Sequence, residues 1–275
     1  MHLSGKTAII PGAPRHIGRS IARRFAAAGA NLVLPWYDWP ESVQEMEEEF
    51  AKSGTATLSL KCDLRNLDEV QSLLNQVEAR FSKVDYLVNN IERGGMPVVH
   101  GSYSHDHNRE QWQLELETTL KAKWNLYQCA KTLMTGPGCA VVNISSIAGL
   151  VGRSGPAACF FNDGYSAANS GIRNLTETWA RECAPDIRVN ELMIGLINGR
   201  HGDHTRGWSI MTDTEKESLL HHTLLARTGT PEEVAKMVYF LAVDASYMTG
   251  SVVRMDGGYM LGGDQVPAMP PGVLG

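Results

Sequence analysis

The chain has 275 residues, of which 43% are apolar and 20% charged, and its formal net charge is -5. A chain of this length and composition buries a large core and is not disordered. The net negative charge argues against a nucleic-acid partner, because phosphate recognition favours a basic protein surface.

No apolar run approaches the length that crosses a bilayer, and no secretory signal precedes the first strand, so we expect a cytoplasmic protein. The cysteines are scattered, odd in number and without CxxC spacing, which predicts reduced thiols and no zinc site. They are Cys62, Cys129, Cys139, Cys159 and Cys183. His100, His105 and His107 fall in a polar segment that no helix or strand fixes, so we predict no metal there either.

Short β-rich runs alternate with helical patterns, which predicts an α/β fold: a Rossmann-like doubly wound parallel sheet with helices on both faces. Strands are predicted at residues 7–11, 31–34, 56–61, 84–89, 139–144, 187–193 and 251–255. Helices are predicted at residues 17–28, 41–53, 67–81, 110–134, 165–184 and 231–242.

The domain organisation is simple, because no repeat or linker divides the chain. We expect one domain at residues 1–261 and an extended, proline- and glycine-rich arm at residues 262–275. Three further stretches are expected to be surface insertions, at residues 93–109, 150–164 and 201–213. Trp112, Trp124 and Trp179 occupy helical positions and are expected to form core or subunit contacts.

A glycine-containing turn, residues 11–18, joins the first strand to the first helix. Glycines in such a turn let the backbone approach a pyrophosphate, and the helix N-terminus supplies partial positive charge. Residues with polar side chains then follow in order, near the ends of successive strands and on a later helix. They are Asp63, Asn89, Asn90, Ser146 and Tyr165.

In this order the landmarks resemble those of the short-chain dehydrogenases/reductases, from Lys6 to about Tyr259. The resemblance implies a NAD(P)-dependent oxidoreductase in which tyrosine is the general acid/base and serine polarises the substrate oxygen. It assigns Ser146 and Tyr165 to catalysis. It also assigns a set of positions to the dinucleotide: Gly12, Arg15, His16, Gly18, Asp63 and Asn89.

The nucleotide motif departs from the family pattern in several places. Pro11 replaces a threonine, and His16 replaces the middle glycine, where a side chain would point into the pyrophosphate or ribose space. Trp36 stands where an NAD enzyme has an acidic residue, and Asp38 is a poor substitute. Glu92 replaces the last glycine of the family's NNAG motif, which the resemblance places near the nicotinamide side of the cleft. Arg15 leaves a residual NADP preference possible, but these changes together predict that the chain binds no dinucleotide tightly.

The catalytic motif has also lost residues. Asn169 replaces the lysine that follows the tyrosine by four residues, and a neutral amide cannot favour the phenolate. Thr119 aligns with the asparagine that anchors a water relay. Tyr165 lies 19 residues after Ser146, a longer interval than in the family, although loops absorb insertions cheaply.

The resemblance therefore predicts a degenerate subunit that supports an active paralogue in a hetero-dimer or hetero-tetramer. NAD(P) would be bound by the active partner, and an acyl-CoA is a candidate substrate of the complex. Family members usually assemble through their two long helices and last strand, here residues 110–134, 165–184 and 251–255. Two alternatives stay open: an active oxidoreductase working through Tyr165 and Ser146, and a cofactor-free ligand-binding regulator.

Overall fold

Seven parallel strands form one sheet in the order β3-β2-β1-β4-β5-β6-β7. The computed structural model describes residues 2–92, 106–199, 208 and 211–264. The strands are β1 Thr7–Ile9, β2 Asn31–Trp36, β3 Thr57–Lys61, β4 Tyr86–Asn89, β5 Cys139–Ser146, β6 Ile187–Ile194 and β7 Val252–Met255. The predicted α/β fold is confirmed, and each predicted strand is present with one end shifted by one or two residues.

The α-helices cover both faces of this sheet. They are α1 His16–Ala28, α2 Pro40–Lys52, α3 Leu67–Phe81, α4 Asp106–Glu115, α5 Ala122–Ala130, α6 Ala148–Val151, α7 Asp163–Cys183, α8 Asp213–His222 and α9 Pro231–Tyr239. α1, α2 and α9 pack on one face of the sheet, and α3, α5 and α7 pack on the other. β4 and β5 are buried along their whole length, as expected for parallel strands with helices on both sides.

The helix predicted at residues 110–134 is divided into segments. α4 begins at Asp106, and a π-helical segment, Leu116–Lys121, separates it from α5. Single-turn π segments inside helices occur frequently at functional sites. This one carries Thr119 on its buried side.

The segment predicted as a surface insertion at residues 150–164 is partly buried. It contains the end of α6, a 3₁₀ turn at Pro156–Phe160 and the start of α7. Phe161 is buried, and the backbone N–H of Ala157 donates to the Tyr259 hydroxyl at 2.9 Å. The prediction was wrong for these residues, because apolar side chains within the segment pack over the end of the sheet.

The predicted insertions at residues 93–109 and 201–213 and the predicted arm at residues 262–275 lie largely outside the described residues. So do His100 and His105. Within the described part of the chain, no helix is long and apolar enough to cross a bilayer. The same part holds no cluster of three potential metal ligands. Cys62, Cys129, Cys139 and Cys183 are free thiols.

Of the three tryptophans, only Trp179 is buried, and it stacks on Tyr127 with ring centroids 3.8 Å apart. Trp112 and Trp124 are 37% and 43% exposed, so neither belongs to the core.

Candidate active site

The sheet brings the candidate residues together at the carboxyl ends of its central strands. β1 and β4 are adjacent in the sheet, although β2 and β3 lie between them in the sequence. The strands that follow β1 extend the sheet in one direction, and those that follow β4 extend it in the other. Open α/β sheets bind ligands in the crevice outside such a switch point. Asn89 pairs with Asn143, and Ser146 pairs with Ile194, so β5 and β6 end side by side and β4 ends beside Asn143.

The turn between β1 and α1 keeps the close backbone approach that its glycines allow. Gly12 has φ +73°, and a Cβ there would lie 2.7 Å from the carbonyl oxygen of Asn90. The Asn90 amide donates to the Pro11 carbonyl oxygen at 3.2 Å, which ties this turn to the end of β4. Gly12 and Gly18 therefore retain the packing that a dinucleotide turn needs.

His16 keeps the backbone conformation of the glycine that the family has at this position. Its φ is +43°, in the left-handed region that a residue with a Cβ rarely adopts. Its imidazole reaches the loop after β6, since a Cβ built on Gly199 would lie 2.8 Å from Nδ1 of His16. The imidazole thus lies at the N-terminus of α1, where a pyrophosphate would meet the helix.

Two of the residues at nucleotide-motif positions, Arg15 and Trp36, contact other side chains of the same chain. The Arg15 guanidinium lies 4.2 Å from the centre of the Trp39 ring, and Trp36 donates to Ser59 at 3.1 Å. The Asp63 carboxylate accepts from Nε and Nη2 of Arg65 at 2.8 and 2.6 Å, and these bonds lower the pKa of Asp63. Asp63 is therefore engaged by a cation of the chain itself.

Asn89 lies inside the sheet layer. Its side chain is fully buried and donates to Oδ1 of Asn143 at 2.8 Å. The Asn143 amide in turn donates to Thr176 of α7 at 2.9 Å. In the structure Asn89 links β4 through β5 to α7.

The catalytic pair predicted from the sequence is brought together despite the long interval between its members. Tyr165 and Ser146 line the same small cavity. Asn162 caps α7 by accepting from the backbone N–H of Tyr165 at 2.7 Å, which fixes the tyrosine in the first turn of the helix. The Phe161 ring stacks on the Tyr165 ring with centroids 6.0 Å apart.

The Tyr165 hydroxyl donates to Oε2 of Glu92 at 2.9 Å. Glu92 stands where the family has glycine, just beyond β4, so a carboxylate now contacts the hydroxyl that family members use for proton transfer. Sequence reasoning placed Glu92 near the nicotinamide side of the cleft. It did not identify this hydrogen bond, because the partners are 73 positions apart in the chain.

Asn169 and Thr119, the replacements for the family's lysine and asparagine, are both fully buried. The Asn169 amide donates to the carbonyl oxygen of Tyr165 at 3.0 Å, one turn back along α7. Oδ1 of Asn169 has no hydrogen-bond partner in the described part of the chain. The Thr119 hydroxyl donates to Glu115 at 3.2 Å.

The cavity beside Tyr165 has a volume of about 20 Å³, which accommodates a single water molecule. Drug-sized ligands and cofactors occupy pockets of several hundred Å³. The lining residues are Ile17, Glu92, Ser146, Phe161, Tyr165, Ile194, Gly195 and Ile197. A second cleft, of about 360 Å³, runs along α1 from Arg15 and His16 of the nucleotide turn, between Ser42 of α2 and Glu232 of α9.

Three buried charged residues near this site were not identified from the sequence: Glu115, Lys123 and Glu191. The Lys123 ammonium donates to the carbonyl oxygen of Ile144. Burial lowers the pKa of Lys123 to about 8 and raises the pKa of Glu191. Helical spacing could have revealed Lys123, because it lies one turn after Thr119 and one before the apolar Leu126.

Comparison with known proteins gives a match over nearly the whole chain. The profile described as enoyl-(acyl carrier protein) reductase matches residues 12–260. The 3-oxoacyl-[acyl-carrier-protein] reductase of Staphylococcus aureus is 31% identical over 256 residues, covering 92% of this chain and 97% of the relative. The enzyme of that name from Thermotoga maritima is 30% identical and covers 95% of this chain and 100% of the relative.

Solved structures show the same fold. A short-chain dehydrogenase/reductase from Brucella melitensis superposes with a TM-score of 0.76 at 23% identity, covering 94% of this chain and 98% of its own. One from Burkholderia xenovorans gives a TM-score of 0.79 at 24% identity, with the same coverage.

Proposed function

Because this chain belongs to the short-chain dehydrogenase/reductase family, we propose that it is an oxidoreductase-family subunit whose own site is catalytically silent. The observation that carries the proposal is the hydrogen bond from Tyr165 to Glu92. In the family a lysine beside the tyrosine favours its ionisation, whereas a carboxylate at hydrogen-bond distance opposes it. Asn169, at the lysine position, contributes no charge to offset the carboxylate.

A nicotinamide dinucleotide does not fit the residues that line this cleft. The His16 imidazole packs toward Gly199 at the pyrophosphate end, and Glu92 occupies the nicotinamide side. Only about 20 Å³ remains beside Tyr165, far less than a nicotinamide ring needs. We therefore propose that this chain binds NAD and NADP weakly, and that NAD(P) is bound by an active partner.

The partner that we propose is an intact member of the same family, in a hetero-dimer or hetero-tetramer. Two observations support a contact surface. Trp112 on α4 and Trp124 on α5 expose large aromatic side chains, which are enriched at protein interfaces. β7 is an edge strand of the described sheet, paired only with β6, and edge strands favour pairing or coverage by another chain.

The substrate class that we propose for the complex is a hydroxyacyl-CoA thioester. The relatives named above are reductases of 3-oxoacyl groups carried on acyl carrier protein, which are also acyl thioesters. The pattern of lost motifs in this chain resembles the pattern in the non-catalytic subunit of 2-[hydroxy(phenyl)methyl]succinyl-CoA dehydrogenase. That enzyme belongs to anaerobic toluene degradation through benzylsuccinate. We extend the proposal to a dehydrogenase of that kind.

Co-expression with an intact paralogue tests the assembly. We expect a mixed dimer or tetramer on size exclusion, identified by native mass spectrometry, with dehydrogenase activity that the chain alone lacks. Trp124→Ser, on the exposed face of α5, should weaken the mixed species. Tyr247→Ser, a fully exposed aromatic outside the proposed surface, is the matched control. A stable homotetramer of this chain with full activity would contradict the proposal.

A second candidate function is an active reductase of 3-oxoacyl thioesters working through Tyr165 and Ser146. It is favoured by the placement of both residues on one cavity and by the names of the relatives. NADPH consumption by the isolated chain, abolished by Tyr165→Phe, would support this candidate over the silent subunit.

A further inference from the structure

A third apolar cluster, distinct from the two that line the faces of the sheet, covers the carboxyl ends of β5 and β6. Open α/β sheets bind ligands in the crevice at this edge. Here the crevice is lined and partly filled by side chains of the same chain, and Tyr165 beneath them is only 5% exposed. The buried members of the cluster are Ile147, Ala148, Ala157, Phe161, Tyr165, Met193, Leu196, Leu219 and Tyr259.

Phe161 is the member of this cluster that stacks on Tyr165. The two ring planes are 21° apart, and Phe161 is buried. Its side chain also lines the small cavity that Tyr165 and Ser146 share. The 3₁₀ turn at Pro156–Phe160 comes directly before Phe161 in the chain and so sets where the ring lies.

Tyr259, near the C-terminal end of the described chain, holds this turn in place. Its buried hydroxyl accepts from the backbone N–H of Ala157 at 2.9 Å. Its ring packs edge-on against His222 of α8, with ring centroids 4.7 Å apart. A Cβ built on Gly155 would lie 2.8 Å from the Tyr259 hydroxyl oxygen, so the turn and the hydroxyl are in close contact.

The turn also makes backbone hydrogen bonds within itself. The N–H of Ala158 donates to Gly155 at 3.0 Å, and the N–H of Phe161 donates to Ala158 at 3.3 Å. These bonds close the turn but do not tie it to the sheet. The bond to Tyr259 does tie it to a distant part of the chain, 102 positions away. A segment held in this way opens at a lower free energy than the strands of the core.

We infer that residues 155–161 form a lid over Tyr165, and that the Tyr259 hydroxyl latches this lid in its closed position. Opening the lid separates the Phe161 ring from Tyr165 and connects the cavity beside Ser146 to solvent. The inference goes beyond the proposed function, because it concerns access to Tyr165 whether or not its hydroxyl transfers a proton.

The test is nitration of tyrosine by tetranitromethane, mapped by mass spectrometry. The fully exposed Tyr247 is the internal reference in each sample. Tyr259→Phe removes the latching hydroxyl and keeps the ring that packs on His222. Nitration of Tyr165 relative to Tyr247 should rise by about tenfold, as expected for the loss of one buried hydrogen bond.

Tyr239→Phe is the matched control, because Tyr239 is also buried and its hydroxyl contacts His2, outside the third cluster. This variant should leave the nitration of Tyr165 unchanged. An unchanged ratio in Tyr259→Phe, or an equal rise in Tyr239→Phe, would overturn the inference.

A second pair of variants approaches the latch from the lid itself. Gly155→Ala places a Cβ against the Tyr259 hydroxyl and should also raise the nitration of Tyr165. Gly152→Ala is its control, because Gly152 has a similar φ of +59° but open space around its Cβ position. Equal effects of the two alanines would show that backbone strain alone loosens the segment, and the latch would be refuted.

Hydrogen exchange of the wild-type chain supplies a measurement that needs no variant. The amides of residues 155–161 should exchange through a local opening, well before those of β5. Exchange of these amides as slow as that of β5 would contradict a lid that opens.

Discussion

The stability of this protein should depend on pH in a way that can be traced to Lys123. In the folded chain the pKa of Lys123 is about 8, against an ordinary value of 10.5, and the first cause is its burial. Between those two pH values the unfolded chain holds a proton that the folded chain has released. The free energy of unfolding attributable to Lys123 therefore rises with pH across this interval.

The magnitude follows from the same two values. The difference between 10.5 and about 8, at about 1.4 kcal/mol for each pH unit, amounts to about 3 kcal/mol. Below about pH 8 the contribution is constant, because both states are protonated. Above 10.5 it is constant again, because both states are neutral.

The assay is denaturant unfolding of the wild type and of Lys123→Met at several pH values from about 7 to about 10.5. Other buried acids oppose the trend, since burial raises the pKa of the Cys62 thiol to about 12 and also raises that of Tyr127. They are present in both proteins and cancel in the difference. That difference should grow by about 3 kcal/mol in favour of the wild type as pH rises. A difference that stays flat would refute the reasoning.

Two further predictions concern the nucleotide cleft. The isolated chain should show no tight binding of NAD or NADP in titration calorimetry, because His16 and Glu92 occupy the cleft. A micromolar Kd for either nucleotide would contradict this prediction. His16→Gly should fold, since glycine adopts the positive φ of this position more readily, and the relief of strain is worth about 1 kcal/mol. The same variant should not recover tight binding of NAD or NADP while Glu92 and Trp36 remain. Recovery of tight binding by this single change would show that His16 alone blocks the cleft.

The fold could be predicted from the sequence because its signals are local. Alternating strand and helix patterns and the glycine turn at Gly12 and Gly18 give the order and type of the elements. The π segment at Leu116–Lys121 could not be predicted in this way, because one extra residue in a helical turn leaves the amphipathic pattern almost unchanged.

The site could be predicted in part. Ser146, Tyr165 and Asn169 were identified by their order and spacing, and the structure places all three at or near the same small cavity. The hydrogen bond between Tyr165 and Glu92 depends on a contact across 73 positions, which no local pattern encodes. The burial of Lys123 depends on how α5 packs against β5, which is again a property of the assembled sheet.

The measurement that tests the central claim most directly is the effect of Tyr165→Phe on turnover in a complex with an active partner. The substitution removes the hydroxyl and keeps the ring that packs on Phe161. If this site is silent, turnover should stay within about twofold of the wild type, because an acting general acid/base would contribute ~10²–10⁴. The matching substitution in the partner should abolish activity. A loss of ~10² or more from Tyr165→Phe in this chain, with the complex intact, would contradict the account.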